Sequence, residues 1–525
     1  MSEVPRESRR VTRRQALVAG AGAVGVLAAG GYGLGRALGG GAATDSREPA
    51  DLVIRAAPTT VELRRRRVET WSYGEDIAGN GIRIRQGAPV RIRVENDLPE
   101  ATSVHWHGIR LANEADGVPG MTQDPIAPGD SFTYAFTPPD AGTYFFHSHS
   151  GLQLDRGLYA PLIVEPVREQ MSYDREDVLV LDDWLDGIDG TPDDRLASLR
   201  RNGMPMDGMG MGMGMGMDPG MRMGGGGGGE RNRAMSRHTD LAGRSPAPGS
   251  LPALANMMES GRADAGDIPD YPLYLINGRP PDDPYRLAVR TLERVRLRLV
   301  NAGSDTAFCF FVEGHALTVT HADGLPVRPV ETDAVLIGMG ERYDVVVETR
   351  SEGARRMIAV PLGKEGRAVG ILRTGRATGR SAPPSAPFTM PQRIASYADL
   401  VGLDPRRPPT RPAGTTRLTL DMAMGSGYVW TIGGRPFDEA PALEAARGEP
   451  QRYVMVNRTM MPHPMHLHGH SFWPVGGGPL KDTVMVPPMY ELAIDWVPDN
   501  PGTWAFHCHN AYHQEAGMMR RVEVA

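Results

Sequence analysis

The stretch FHCHNAYHQEAGMM, Phe506 to Met519, lies near the end of a 525-residue chain that has only two cysteines. One of them, Cys508, stands between His507 and His509, and His513 and Met518 follow within the same run. A single buried His, Cys or Met is ordinary packing. Five soft or borderline donors in twelve positions point instead to metal. If Phe506 to His509 is a β-strand, His507 and His509 face one side and Cys508 the other, so that one strand serves two sites. Two imidazoles, one thiolate and a weak axial thioether form the ligand set of blue copper. Cys508, His513 and Met518 supply three of those four ligands.

The missing imidazole is expected in the same domain. MMPHPMHLHGHSF, Met460 to Phe472, offers His463, His466, His468 and His470. His466 and His468 form an H-x-H pair followed by Gly469, and His463 stands one short turn earlier, the offset expected of the second blue-site histidine.

Both motifs occur twice. VHWHGIR (Val104–Arg110) echoes MHLHGHS (Met465–Ser471), and PDAGTYFFHSH (Pro139–His149) echoes PDNPGTWAFHCH (Pro498–His509). His107 precedes His147 by 40 residues and His468 precedes His507 by 39, so the first and last domains are duplicates of one unit. Ser148 occupies the place of Cys508, which leaves the first domain without a blue site. The result is four H-x-H pairs, 105/107, 147/149, 466/468 and 507/509, able to hold three coppers across a domain interface. Of 14 histidines, only His238, His315, His321 and His470 fall outside these motifs. Zinc is the competing metal, but structural zinc sites close at four ligands and do not require a duplicated array.

The rest of the composition fits several β-rich domains: 65 Gly, 45 Pro and 40% hydrophobic residues in a chain too long for one core. A net charge of -6 gives no basic footprint for nucleic acid. RVRLRLVNAG (Arg294–Gly303) and RYDVVVE (Arg342–Glu348) have strand character without any H-x-H pair, which makes the middle domain a spacer built on the same sandwich. Cys309, His315 and His321 are not at ligand spacings and are expected in core or turns, so no disulfide framework is expected either.

The N-terminus places five arginines in fourteen residues, including Arg13 and Arg14, ahead of a Gly/Ala-rich run to Ala29 and small residues near Ala43. It resembles a twin-arginine export signal spanning 1–45, with an uncleaved membrane anchor as the competing reading. The expectation is export to the periplasm, cell envelope or exterior, with no stable membrane span once the signal is removed.

HWHG, HSH, HPMHLHGH and HCHNAYHQEAGM together resemble, in order and spacing, the four copper motifs of three-domain multicopper oxidases, a family that includes laccases and bacterial cuprous oxidases. The resemblance covers about residue 50 to 525. It implies an all-β fold of three consecutive cupredoxin-like Greek-key β-sandwich domains, at 50–168, 169–388 and 389–525, the second carrying a disordered Met/Gly-rich insert at about 196–265. It also implies four copper ions: a type 1 copper on His463, Cys508, His513 and Met518, a type 2 copper on His105 and His466, and a type 3 pair. One copper of that pair falls to His107, His147 and His509, the other to His149, His468 and His507. The implied reaction takes single electrons from a reductant at the type 1 copper and reduces dioxygen to water at the other three, with the H-C-H tripeptide as the link.

Water formation needs protons. Asp116, in ADGVPG, resembles the family's acid near the type 2 copper, the alternative being a turn-forming Asp before Gly. Bacterial relatives often place Glu directly after the last blue-site histidine. Here that position is Gln514, and Glu515 is the candidate that follows.

Between Met204 and Met223 lie nine methionines, Met204, Met206, Met209, Met211, Met213, Met215, Met217, Met221 and Met223. The glycines among them suit a linker, but thioethers are soft ligands that favour Cu(I). Copper-resistance oxidases carry comparable segments. Cu(I) is therefore the expected substrate, a laccase acting on phenols and aromatic amines the alternative, and a copper-sequestering protein the third reading.

Overall fold

In the computed structural model the described residues are 50–204, 238–375, 383–423, 425 and 427–525. The 1–45 signal and the methionines from Met206 to Met223 lie outside them. Six sheets pair into three sandwiches. The first domain stacks a sheet of Arg66–Ser72, Leu52–Leu63, Val90–Asn96 and Ser131–Phe136 on one of Ile82–Arg85, Tyr159–Glu165, Gly142–His147 and His105–His107. In VRIRVEN (Val90–Asn96), Val90, Ile92 and Val94 are buried while Arg91 and Arg93 are half-buried, the period-2 pattern of a strand with one face on a core. Gly142–His147 is buried at every residue, because it runs through the domain interfaces.

The third domain repeats this plan. His463–Leu467 pairs with Gly502–Cys508 in the register His466↔His507, as His105–His107 pairs with Gly142–His147 in the register His105↔His147. The middle domain follows it as well. Its five-stranded sheet has the order Tyr285–Val289, Ala368–Thr374, Gly353–Pro361, Phe308–Val312, Val335–Ile337, matching the third domain's Leu443–Ala445, Met519–Val524, Gly502–Cys508, His463–Leu467, Thr483–Val486. The strand corresponding to H-x-H reads Phe308, Cys309, Phe310, all buried, so apolar packing replaces ligation there.

The insert departs from the expected disorder at both ends. Helix α1 (Pro192–Asn202) starts with a capping box between Thr191 and Asp194 and Pro192 in its first turn. Helix α2 (Leu251–Glu259) buries Leu251, Leu254, Ala255 and Met258, one stripe at helical spacing. A third helix, α3 (Ala511–Glu515), follows the H-C-H strand. Among the described residues no helix is long and apolar enough to cross a membrane, and both cysteines are free.

Candidate metal centre

The eight H-x-H histidines converge where the first and third domains meet. His105 stacks on His468 and His107 on His466, each pair with ring centroids 3.8 Å apart, and His468 Nε2 faces His507 Nε2 at 3.0 Å. The ligating atoms of His149, His468 and His507 fall within 4.8 Å of one another, as do those of His105, His107 and His147 and of His105, His466 and His468. His509 packs at 4.8 Å from His107 and 5.2 Å from His147, ring centre to ring centre.

Four of the rings are fixed from behind by a backbone carbonyl. Nδ1 of His105 donates to the Asp116 carbonyl, of His147 to Ser148, of His466 to Asp482 and of His507 to Cys508, all at 2.9 Å. A proton held on Nδ1 leaves the Nε2 lone pair facing the cluster. Nε2 of His105, His147, His149, His466 and His509 is buried without a hydrogen-bond partner, and so is Nδ1 of His107. His107 is reversed because its Nε2 is taken by Thr483 Oγ1 at 3.2 Å. Burial, then the neighbouring imidazoles, push His147, His149, His468, His507 and His509 well below the usual histidine range. Neutral rings with orphaned lone pairs turned on one another fit metal ions.

Cys508 faces the other way, as the strand alternation predicts. Its Sγ lies 3.5 Å from His513 Nδ1 and 3.7 Å from His463 Nδ1, and those two nitrogens are 3.2 Å apart. Asn510 caps α3 by accepting from the N–H groups of Tyr512 and His513, which sets His513 in place. Met518 is fully buried and tied in by its backbone: Cys508 N–H donates to its carbonyl at 3.1 Å, and its own N–H donates to the His513 carbonyl at 2.9 Å. A thiol and two imidazoles with a buried thioether in the adjoining backbone suit the soft donor preference of copper.

The surrounding residues assign more to the middle domain than a spacer's part. Asp267 Oδ2 lies 2.9 Å from His513 Nε2 and accepts the Tyr428 hydroxyl at 2.5 Å. Burial alone would push His513 down, but Asp267 and then Cys508 override it and raise the copper-free ring to about 10. On the cluster side, Gly340 has φ +81°, and a Cβ there would come within 2.7 Å of the His509 ring and 3.0 Å of the His107 ring. Arg342, fully buried, grips Asp482, whose Oδ1 lies 3.2 Å from His107 Nε2 and 3.5 Å from His466 Nδ1. Burial would raise Asp482, but the Arg342 charge holds it well below the usual carboxylate range.

Asp116 lies in the cluster, with Oδ2 2.9 Å from His468 Nδ1 and Oδ1 3.3 Å from His105 Nδ1. Glu515 lies at the end of α3 with Arg200 of α1 as its ion-pair partner at 4.0 Å. Met204, just beyond α1, packs partly buried against the core. Asp267, Gly340, Arg342, Asp482 and Thr483 escaped sequence reading, since none shares a spacing with the histidines. Asn510, a helix-capping residue directly after H-C-H, was the one such signal present.

Three multicopper oxidase family models match the chain, at residues 55–169, 252–377 and 409–525. Multicopper oxidase MmcO of Mycobacterium tuberculosis is 37% identical over 476 residues, covering 89% of this chain and 85% of that protein. The copper resistance protein A homolog of Pseudomonas syringae pv. tomato is 28% identical, covering 90% and 92%. Among solved structures, laccase from Botrytis aclada superposes with a TM-score of 0.70 at 25% identity, over 90% of this chain and 87% of that one. With its folded domains matched in this way and its histidine and cysteine clusters in place, the chain belongs to the multicopper oxidase family and is a copper-dependent oxidoreductase.

Proposed function

We propose that the protein oxidises Cu(I) outside the cytoplasm and reduces dioxygen to water, holding four copper ions. His463, Cys508, His513 and Met518 would bind the type 1 copper, and His105 and His466 the type 2. His107, His147 and His509 would bind one type 3 copper, and His149, His468 and His507 the other. Bound copper supplies one-electron chemistry at the first site and four-electron oxygen reduction at the cluster. The observation that carries this reading is Cys508 itself: its Sγ faces His463 and His513, while its two neighbours in the chain, His507 and His509, face the cluster.

The chain's own residues do the rest. Nδ1 hydrogen bonds hold His105, His147, His466, His468 and His507 in the ligating tautomer. Burial of every ring excludes bulk water from the cluster. Asp116, 1% exposed and touching His105 and His468, would hold a proton beside those two rings. Glu515, at the end of α3 beside Arg200, would be the second acid.

Cu(I) is favoured as the reductant by the nine methionines from Met204 to Met223 and by relatives named for copper resistance. Likeness to laccases supports phenols and aromatic amines as the second reading. The arginine-rich N-terminus supports twin-arginine export to the periplasm or cell exterior. Oxygen uptake with Cu(I) and with a phenol, measured side by side at equal copper content, tests the choice: faster uptake with Cu(I) supports it, and phenol-only turnover makes the protein a laccase. Copper bound well beyond four ions per chain with little turnover would mean sequestration.

A further inference from the structure

The blue-site residues have almost no exposure: His463, His513 and Met518 are at 0% and Asp267 at 1%. An electron from outside must therefore cross protein, and one route across begins in a cleft. The cleft has a volume of about 570 Å³, within the range of small-molecule sites. It lies where the first domain's hairpin tip, at Arg64, meets the middle domain, and domain junctions are favoured places for ligands. Its walls include Tyr271, Tyr274, Pro281 and Pro384, with Arg64 and Asp282 among its charged groups. Gly366, at φ +105°, lets backbone lie against the Tyr274 ring, where a Cβ would come within 2.9 Å. Arg64 and Arg65 both hold positive φ, as the two-residue turn between Leu63 and Arg66 requires.

Behind the cleft, polar contacts run inward to α3. Tyr271 and Tyr274 have ring centroids 6.4 Å apart. The Tyr271 hydroxyl donates to Asp155 Oδ2 at 3.3 Å, and the same oxygen accepts the Tyr512 hydroxyl at 2.6 Å. Tyr512 is bonded to His513. A second link runs alongside: Lys364 Nζ lies 4.9 Å over the Tyr271 ring and 2.8 Å from Asp305 Oδ2, and Asp305 accepts from Asn510, the cap of α3. All members of both links are at least nine-tenths buried.

We propose that this cleft is a second reductant site, taking a small phenol whose electron reaches the blue centre along Tyr271, Asp155 and Tyr512. The phenol's ring packs on Pro281 and Pro384 and on the exposed edges of Tyr271 and Tyr274, and its oxygen stays near the open, charged rim. It gives up one electron, and its O–H proton passes to water at the mouth, leaving a phenoxyl radical. The electron is accepted by the blue centre, and oxygen reduction removes it. Cu(I) has no soft ligand set here, since the described walls carry no thioether, thiol or imidazole.

The inference rests on the blue centre proposed above, and its binding arm needs no turnover, so the two can fail separately. In the holoenzyme, 1,2-dimethoxybenzene, which has no O–H to lose, is expected to bind saturably by NMR titration, and Ser385→Trp, which fills the cleft, to abolish that binding. Anaerobic bleaching of the blue colour by 2,6-dimethoxyphenol is expected to slow about tenfold in Tyr271→Phe with unchanged half-saturation, while bleaching by Cu(I) keeps the wild-type rate. No saturable binding, binding unaffected by Ser385→Trp, or a Tyr271→Phe protein that slows both reductants alike or neither would overturn the proposal.

Discussion

Arg342 of the middle domain closes a two-armed ion pair on Asp482 of the third, Nη1 to Oδ1 at 2.7 Å and Nη2 to Oδ2 at 2.6 Å. Asp482 Oδ1 also lies 3.2 Å from His107 of the first domain. One side chain thus ties the copper-free domain to histidines contributed by the other two. Arg342→Met leaves a buried carboxylate unpaired, which costs about 3–5 kcal/mol. The expected result is a lower denaturant midpoint and loss of copper from the histidine cluster, with the blue colour retained. Four coppers at wild-type stability would contradict it.

The contact between His513 and Asp267 makes copper loading depend on pH. In the copper-free protein the His513 ring titrates at about 10, above its ordinary 6.5, so its proton stabilises the fold below that ordinary value and the benefit is lost as pH rises through about 10. Copper competes with that proton. Blue-site affinity should therefore climb with pH up to about 10, and Asp267→Asn should flatten the climb by removing the charge that raises His513. Copper titrations of apoprotein followed by blue absorbance at several pH values check this; equal slopes in both proteins would refute it.

The sequence made the copper-bearing strands legible because ligation demands fixed residue types at the period of a strand, and the duplication displayed them twice. His466↔His507 and His105↔His147 share one register for that reason. Asp267, Arg342 and Asp482 were not legible. They act across domain boundaries, with Asp267 246 residues from His513 and Asp482 375 residues from His107, and no local periodicity records such contacts. The helical ends of the insert were hidden by the glycine and methionine composition around them, although Thr191, Asp194 and Pro192 form a start signal for α1.

Asp116 touches two histidines through its carboxylate, and Asp116→Asn keeps the shape without a group that delivers protons. Reduction of the blue centre by substrate should persist, while reoxidation by oxygen slows about 10²-fold. Rapid-mixing absorbance resolves the two steps. Unchanged reoxidation across neutral pH would leave Asp116 as a positioning group for His105 and His468.

Excising the methionine tract tests the reductant. Arg200, near the end of α1, donates to the Glu515 carbonyl at 3.2 Å, so a cut begun at 200 would disturb the blue-site helix as well. Removing 205–229 keeps that contact. Cu(I) oxidation should fall severalfold while oxidation of a bulky phenol stays equal or rises, measured at equal copper content. Equal loss on both substrates would mean a structural role for the tract, and no change on either would favour the laccase reading.

The most direct test of the account is Cys508→Ser, because one residue is assigned both the blue site and the link to the cluster. Copper analysis and electron paramagnetic resonance of the purified variant should show the eight-histidine cluster still loaded, the blue absorbance gone and turnover with every reductant abolished. A Cys508→Ser protein that remains blue, or that still consumes oxygen with Cu(I) or a phenol at a rate near wild type, would contradict the assignment.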